Sequence, residues 1–230
     1  MMDNERLKIY YDAEFTELTA DAQLISIGLY SESGAYFYAE FELDTSTVET
    51  LISDDFMMNN VISNLLFWNS KATMWSSVSP SDSDDNPTPY NILMKGTADD
   101  IKDNLIQWLE NERIISEKII EFYTDCYAYD WVLLNQLICK DGNALNIPGY
   151  ISYIPIDLST ALRIYGIDPD ITREEYISFT DKEDILNMID LPIGDNKPFK
   201  HNALWDALVT YKCFQKVLYV NKIEGEEVKE

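Results

Sequence analysis

The stretch Lys8-Ile9-Tyr10-Tyr11-Asp12-Ala13-Glu14-Phe15 constrains this chain most, because two carboxylates interrupt what otherwise reads as a buried strand. In an extended backbone successive side chains alternate faces, so Asp12 and Glu14 project from the same side, close to each other. Like charges held beside a core raise each other's pKa or demand a cation. For an all-oxygen set the fitting cations are magnesium and manganese. Taken alone, Asp-x-Glu fits an edge strand with both acids in water as well, so the rest of the chain decides between the two.

The 230 residues, 46% hydrophobic and 13% aromatic, suffice for one core, and a single domain over 1–230 is expected. Cys126, Cys139 and Cys213 are odd in number, lie in apolar contexts and form no C-x-x-C pair. That pattern argues against a disulfide framework and a zinc knuckle, and predicts a reducing, cytoplasmic setting. Met1 to Arg6 is polar and no apolar run reaches membrane-spanning length, so a soluble, unexported chain without a membrane partner is expected. The 41 acidic residues against 17 basic ones, net −24, exclude a broad basic footprint for nucleic acid. They leave room for a small metal-centred site that engages only the last nucleotides of a strand, since bound cations invert the local sign.

Along the chain, Leu7–Phe15, Gln23–Ser31 and Ala35–Leu43 read as three strands of an antiparallel meander, with a tight turn at Ser31-Glu-Ser-Gly34. Val48–Phe67 carries helical spacing with a break near Asp54-Asp55, and Thr97-Ala-Asp-Asp opens an amphipathic helix that ends near Arg113. Residues 76–89 are polar and punctuated by proline, the composition of a surface loop. Ile119–Tyr123 reads as a strand and Tyr129–Leu137 as a helix, which puts Asp130 at a strand-to-helix junction. Asp157–Tyr165 is a helix stopped by Gly166, Asp168–Lys200 is loop-rich with a short helix at Lys182–Met188, and Asn202 caps a final helix over Ala203–Val217. The charged tail, 224–230, is expected to fray.

His201 is the lone histidine and precedes Asp206 by five residues. On a continuous helix that separation turns a side chain by about 140°, off the shared face. Placed just before the cap, His201 can instead swing over a site that Asp206 touches from the first turns of the helix. Singly, the two residues also fit a surface histidine and an acid favoured by the helix dipole.

Asp12-Ala13-Glu14 on a first strand, Gln23-Leu-Ile-Ser-Ile-Gly-Leu29 on a second, Tyr129-Asp130-Trp131 at a helix start and His201-x-Ala203-x-x-Asp206 together resemble the DEDDh branch of the DnaQ-like 3′ to 5′ exonucleases, over roughly residues 7 to 218. Ala128-Tyr129-Asp130-Trp131 is similar to the bacterial and phage exoribonuclease-like subgroup. The chain departs from the family in carrying Cys126 where many members have Asn, and in a segment at Ser70–Lys95 that looks like an insertion. Asp125 competes for the place of third acid, and Asp130 is preferred because the helix start Trp131-Val-Leu-Leu follows it.

The resemblance implies an α/β, ribonuclease H-like fold with a mixed five-stranded sheet flanked by helices. It implies that Asp12, Glu14, Asp130 and Asp206 hold two divalent ions, Mg²⁺ or Mn²⁺, about 4 Å apart, with His201 as general base. Ala13 and Phe15 would contact substrate, Phe15 by stacking on or wedging against the terminal base, and the other reading of Phe15 is a core residue. The implied partner is single-stranded or 3′-overhang nucleic acid, RNA before DNA, and the product a nucleoside 5′-monophosphate; a homodimer fits because relatives often pair. Two other functions fit the same residues: a hydrolase of dinucleotides or short oligonucleotides, and a non-catalytic acidic binding protein.

Overall fold

The computed structural model describes residues 6–68, 74–76, 88–139, 143, 146–189 and 200–227. Strand β1 (Arg6–Phe15) lies near the middle of a mixed sheet and sorts its side chains by parity. Leu7, Ile9, Tyr11 and Ala13 join one apolar core, and Tyr10 joins the other. β2 (Leu24–Ser31) runs antiparallel to β1 and β3 (Tyr36–Phe41) antiparallel to β2, which is the expected meander. On the other side of β1, β6 (Ile119–Thr124) pairs in parallel.

Among the described residues the sheet has seven strands rather than the expected five, in the order β4-β5-β3-β2-β1-β6-β7. The additional pair is β4 (Met74–Ser76) and β5 (Ile92–Gly96), which extends the sheet beyond β3 from within the segment read as an insertion. β5 escapes detection in the sequence because Ile92, Leu93 and Met94 are all buried, so no apolar-polar alternation marks it. The two-residue β7 (Ile156–Asp157) closes the other edge.

Helices cover both faces. On one, α2 (Ala98–Ser116) sets Ile101, Leu105, Trp108 and Leu109 against the sheet at helical spacing, and α3 (Asp130–Ile138) adds Trp131, Leu134 and Ile138. On the other lie α4 (Leu158–Ile164), α5 (Arg173–Tyr176), α6 (Phe179–Met188) and α7 (Ala203–Glu227). The helix expected over Val48–Phe67 breaks where anticipated: α1 (Thr45–Ser53) stops at Asp54, whose carboxylate accepts from the Phe56 and Met57 amides and starts a new turn. A π turn (Met57–Val61) and a 3₁₀ turn (Ile62–Asn64) follow.

Three boundaries are corrected. α2 runs to Ser116 rather than ending near Arg113. α6 begins three residues earlier than expected, because Ser178 and Asp181 form a reciprocal capping box. α7 continues to Glu227 rather than stopping at Val217, so residues 224–227 of the expected tail are helical. Residues 228–230, 190–199 and most of the 76–89 loop lie outside the described residues. Among the described residues no helix is long and apolar enough to cross a membrane.

One close approach fixes α7 against the sheet. Gly28 on β2 stands opposite Asp12, and a Cβ there would come within 2.2 Å of the backbone of Ala203 and Leu204. Only a residue without a side chain lets the N-terminus of α7 sit directly beside the acidic end of β1. Gly28→Ala should therefore lower stability by about 1–3 kcal/mol, the usual cost of overpacking, read as a shift of the denaturation midpoint in urea. An unchanged midpoint would show that α7 does not rest there.

Candidate active site

Three elements deliver the acidic side chains, and the turn before a helix the histidine, to one cleft of about 530 Å³. β1 supplies Asp12 and Glu14 at the end where a bulge between Glu14 and Phe15 closes the ladder with β2. α3 supplies Asp130 as its first residue, and α7 supplies Asp206 from its first turn. The turn before α7 supplies His201. All five residues singled out from the sequence line this cleft, together with Ala13 and Phe15.

Ligand atoms of Glu14, His201 and Asp206 lie within 4.8 Å of one another, so the imidazole stands beside a pair of carboxylates close enough to share a cation. The Nδ1 of His201 is 3.9 Å from Oε1 of Glu14. Asp130 is buried and accepts a hydrogen bond from the Thr124 hydroxyl at 2.9 Å, which orients its carboxylate. Asp125 also lines the cleft but is engaged elsewhere: Nε of Arg173 donates to it at 2.8 Å, and Nη2 bonds the same oxygen. The remaining donors of Arg173 go to the Ser159 hydroxyl and to the carbonyls of Pro169 and Ile171. That guanidinium is spent within the protein, and between the two candidates for third acid it leaves Asp130 as the carboxylate without a paired cation among the described residues.

The electrostatics follow from this crowding. Burial pushes the Asp12 carboxyl well above its usual range, and the charges of Asp130, Asp206 and Glu14 push it further. Glu14 rises to about 8 from burial and the neighbouring Asp130, and Asp130 to about 7, mainly from burial. Asp206 is raised by burial and by Glu14, against the pull of the His201 amide. The His201 imidazole moves the other way, lowered by burial and by Lys200. Neutral imidazole is thus the dominant form near neutrality.

His201 has φ of 63°, a left-handed conformation that costs a residue with a Cβ about 1–2 kcal/mol. Its amide donates to Oδ2 of Asp206 at 2.7 Å, which ties the histidine to the acid five residues on. The ring of Phe56 meets the imidazole edge-on, with centroids 5.6 Å apart. Phe15, which lines the cleft, is backed by Tyr129, their rings stacked with centroids 5.8 Å apart and planes 22° apart. Thr124, Arg173, Phe56 and Tyr129 were not singled out as site residues in the sequence. Tyr129 does belong to the Tyr129-Asp130-Trp131 motif and Arg173 is one of four arginines in a strongly acidic chain, whereas Thr124 and Phe56 carry no sequence signal.

The donor set suits a hard divalent cation: clustered carboxylate oxygens whose mutual charge only added positive charge relieves. The chain matches no protein-family model, and no curated protein matches it.

Raised carboxyl pKa values set the sign of the pH dependence. The folded chain holds protons that the unfolded chain releases, so this contribution to stability is present below the ordinary carboxylate range. It is lost as pH rises through about 7 for Asp130 and about 8 for Glu14. In EDTA the thermal midpoint should fall between about pH 5 and about pH 8, and fall less in Asp130→Asn; Mn²⁺ should restore it at the alkaline end by binding the ionised site. A midpoint that holds level or climbs across this window in EDTA would contradict the arrangement of charges.

Proposed function

We propose that this protein is a divalent-metal-dependent 3′ to 5′ exonuclease of the DEDDh, DnaQ-like class on a ribonuclease H-like fold, with RNA preferred over DNA. The observation that carries the reading is the meeting of Asp12, Glu14, Asp130, Asp206 and His201, from separate elements, in one cleft. The strands β3-β2-β1-β6-β7, two antiparallel pairings followed by two parallel ones, agree with the sheet such a fold requires. The preference for RNA rests on the likeness of Ala128-Tyr129-Asp130-Trp131 to the exoribonuclease-like subgroup.

Asp12, Glu14, Asp130 and Asp206 would hold Mg²⁺ or Mn²⁺, which when bound supplies positive charge for the phosphate and a lowered pKa for a coordinated water. The chain's own residues do the rest. His201, held neutral by burial and by Lys200, accepts the proton of the attacking water at its imidazole nitrogen. Asp206 steadies that histidine through the backbone amide while its other oxygen remains for a cation. The Phe15–Tyr129 stack offers an aromatic surface for the terminal base. Thr124 keeps Asp130 aimed into the cleft.

A second reading, cleavage of dinucleotides or short oligonucleotides, is favoured by a specific feature of the cleft. Among the described residues, Arg173 and Lys200 are the Lys and Arg residues that line it, and the guanidinium of Arg173 is already committed. Little positive charge remains to hold a long backbone against a protein of net charge −24.

End-labelled RNA, single-stranded DNA and a dinucleotide incubated with Mn²⁺ separate the readings. Laddering from the 3′ end that stops in EDTA and in Asp12→Ala supports the exonuclease, and cleavage of the dinucleotide alone supports the second reading. An absence of metal-dependent turnover on all three leaves an acidic binding protein. His201→Ala should keep most of the metal affinity and lower the rate by roughly 10² to 10⁴, the contribution of a general base. Loss of metal binding in that variant would contradict the role given to His201.

A further inference from the structure

Beneath the cleft lies a buried polar chain that the chemistry above does not use. Glu40, on β3, is 1% exposed, an unusual place for a carboxylate. Its Oε1 accepts from the Phe67 amide at 2.8 Å and from the Tyr38 hydroxyl at 2.9 Å. The Tyr38 oxygen in turn accepts from Nδ2 of Asn202 at 3.3 Å, and the same nitrogen donates to the Asn64 carbonyl at 2.9 Å. Oδ1 of Asn202 caps α7 by accepting from the Leu204 and Trp205 amides. Asn64 also reaches the other side of the histidine, its Nδ2 donating to the Lys200 carbonyl at 2.8 Å.

His201 is therefore gripped at three points. The carbonyl before it is held by Asn64, its own amide by Asp206, and the side chain after it by Tyr38 and the Asn64 backbone. A left-handed residue with a Cβ persists only where its surroundings over-determine it. Glu40, Tyr38 and Asn64 do not line the cleft, so any influence they have on chemistry passes through the turn at Lys200–Asn202.

We propose that Asn64, Glu40 and Tyr38 are positioning residues, which through Asn202 lock the Lys200–Asn202 turn and so hold the His201 imidazole over Glu14 and Asp206. Tyr38 links the anchor to the turn. Glu40 orients the Tyr38 hydroxyl and pins Phe67, and with it the segment that carries Asn64, to the same anchor. The turn cannot relax without breaking the buried Asn202–Tyr38 bond, the part-buried bonds to Asp206 and the Asn64 carbonyl, and the exposed Asn64–Lys200 bond together.

The kinetic part of this inference rests on the exonuclease reading, and the spectroscopic part does not. Tyr38→Phe keeps the ring and deletes the hydroxyl; Asn64→Ala, at a partly buried position, releases the Lys200 carbonyl; Glu40→Gln retains an oxygen acceptor and serves as the conservative variant. His201 is the lone histidine, so its imidazole proton signals are unambiguous. In Tyr38→Phe and in Asn64→Ala these signals should move toward those of free histidine. The His201 amide should exchange roughly 10-fold faster while that of Leu208 on α7 keeps its rate, and kcat should fall roughly 10-fold with KM within about 2-fold. Glu40→Gln should stay close to the parent protein in all of these.

Parent-like imidazole signals and amide exchange in both variants would overturn the proposal. So would faster exchange shared by Leu208, which marks loosening of the helix as a whole. Should Tyr38→Phe not fold, Asn64→Ala decides by the same criteria. If the parent protein cuts no substrate, the exonuclease reading fails, and the imidazole and exchange measurements still decide whether the turn is held in this way.

Discussion

Asp12, Glu14, Asp130 and Asp206 are held at one end of a sheet where burial raises the cost of each charge and every neighbour raises it again. A fold gains nothing in stability from that crowding. The surrounding structure is arranged to maintain it: Gly28 admits the backbone of α7 beside Asp12, the His201 amide binds Asp206, and Thr124 binds Asp130. The parity of β1 does the rest, since the residues that alternate with Asp12 and Glu14 are Tyr11 and Ala13, which anchor the strand in the opposite core.

Charge is also managed by exclusion. Asp125 and Asp130 are close in sequence and line the same cleft, yet only Asp125 is given a cation. Arg173 spends its donors on Asp125, Ser159 and two carbonyls, which neutralises one acid and braces the loop before α5 at the same time. The fixed positive charge left at the cleft is Lys200, whose ammonium is 3.9 Å from Glu174 and whose field lowers the His201 pKa. Protons held by the raised carboxyls balance the remaining acids, and a divalent cation, as proposed above, would take their place.

The meander and the paired acids of β1 were legible because alternation is a local signal that survives burial on both faces when polar residues interrupt it. The placement of His201 before the Asn202 cap was legible from the five-residue spacing, which no single helix could bring to one face. β5 was not legible, since a strand covered on both sides shows no period. The three-residue β4, the two-residue β7 and the continuation of α7 to Glu227 were missed as well. Arg173 and the chain through Glu40, Tyr38, Asn64 and Asn202 were invisible for a different reason: their contacts join residues up to 164 positions apart and follow no local pattern.

The central claim is that these four carboxylates form one site that is completed by divalent cations. Titration of the protein with Mn²⁺, followed by electron paramagnetic resonance of the bound ion, tests it most directly. The account predicts two bound ions per chain whose spectra show spin coupling between neighbours, with the coupled signal lost in Asp12→Asn and in Asp206→Asn. Uncoupled, weak binding that is indifferent to both substitutions would contradict it.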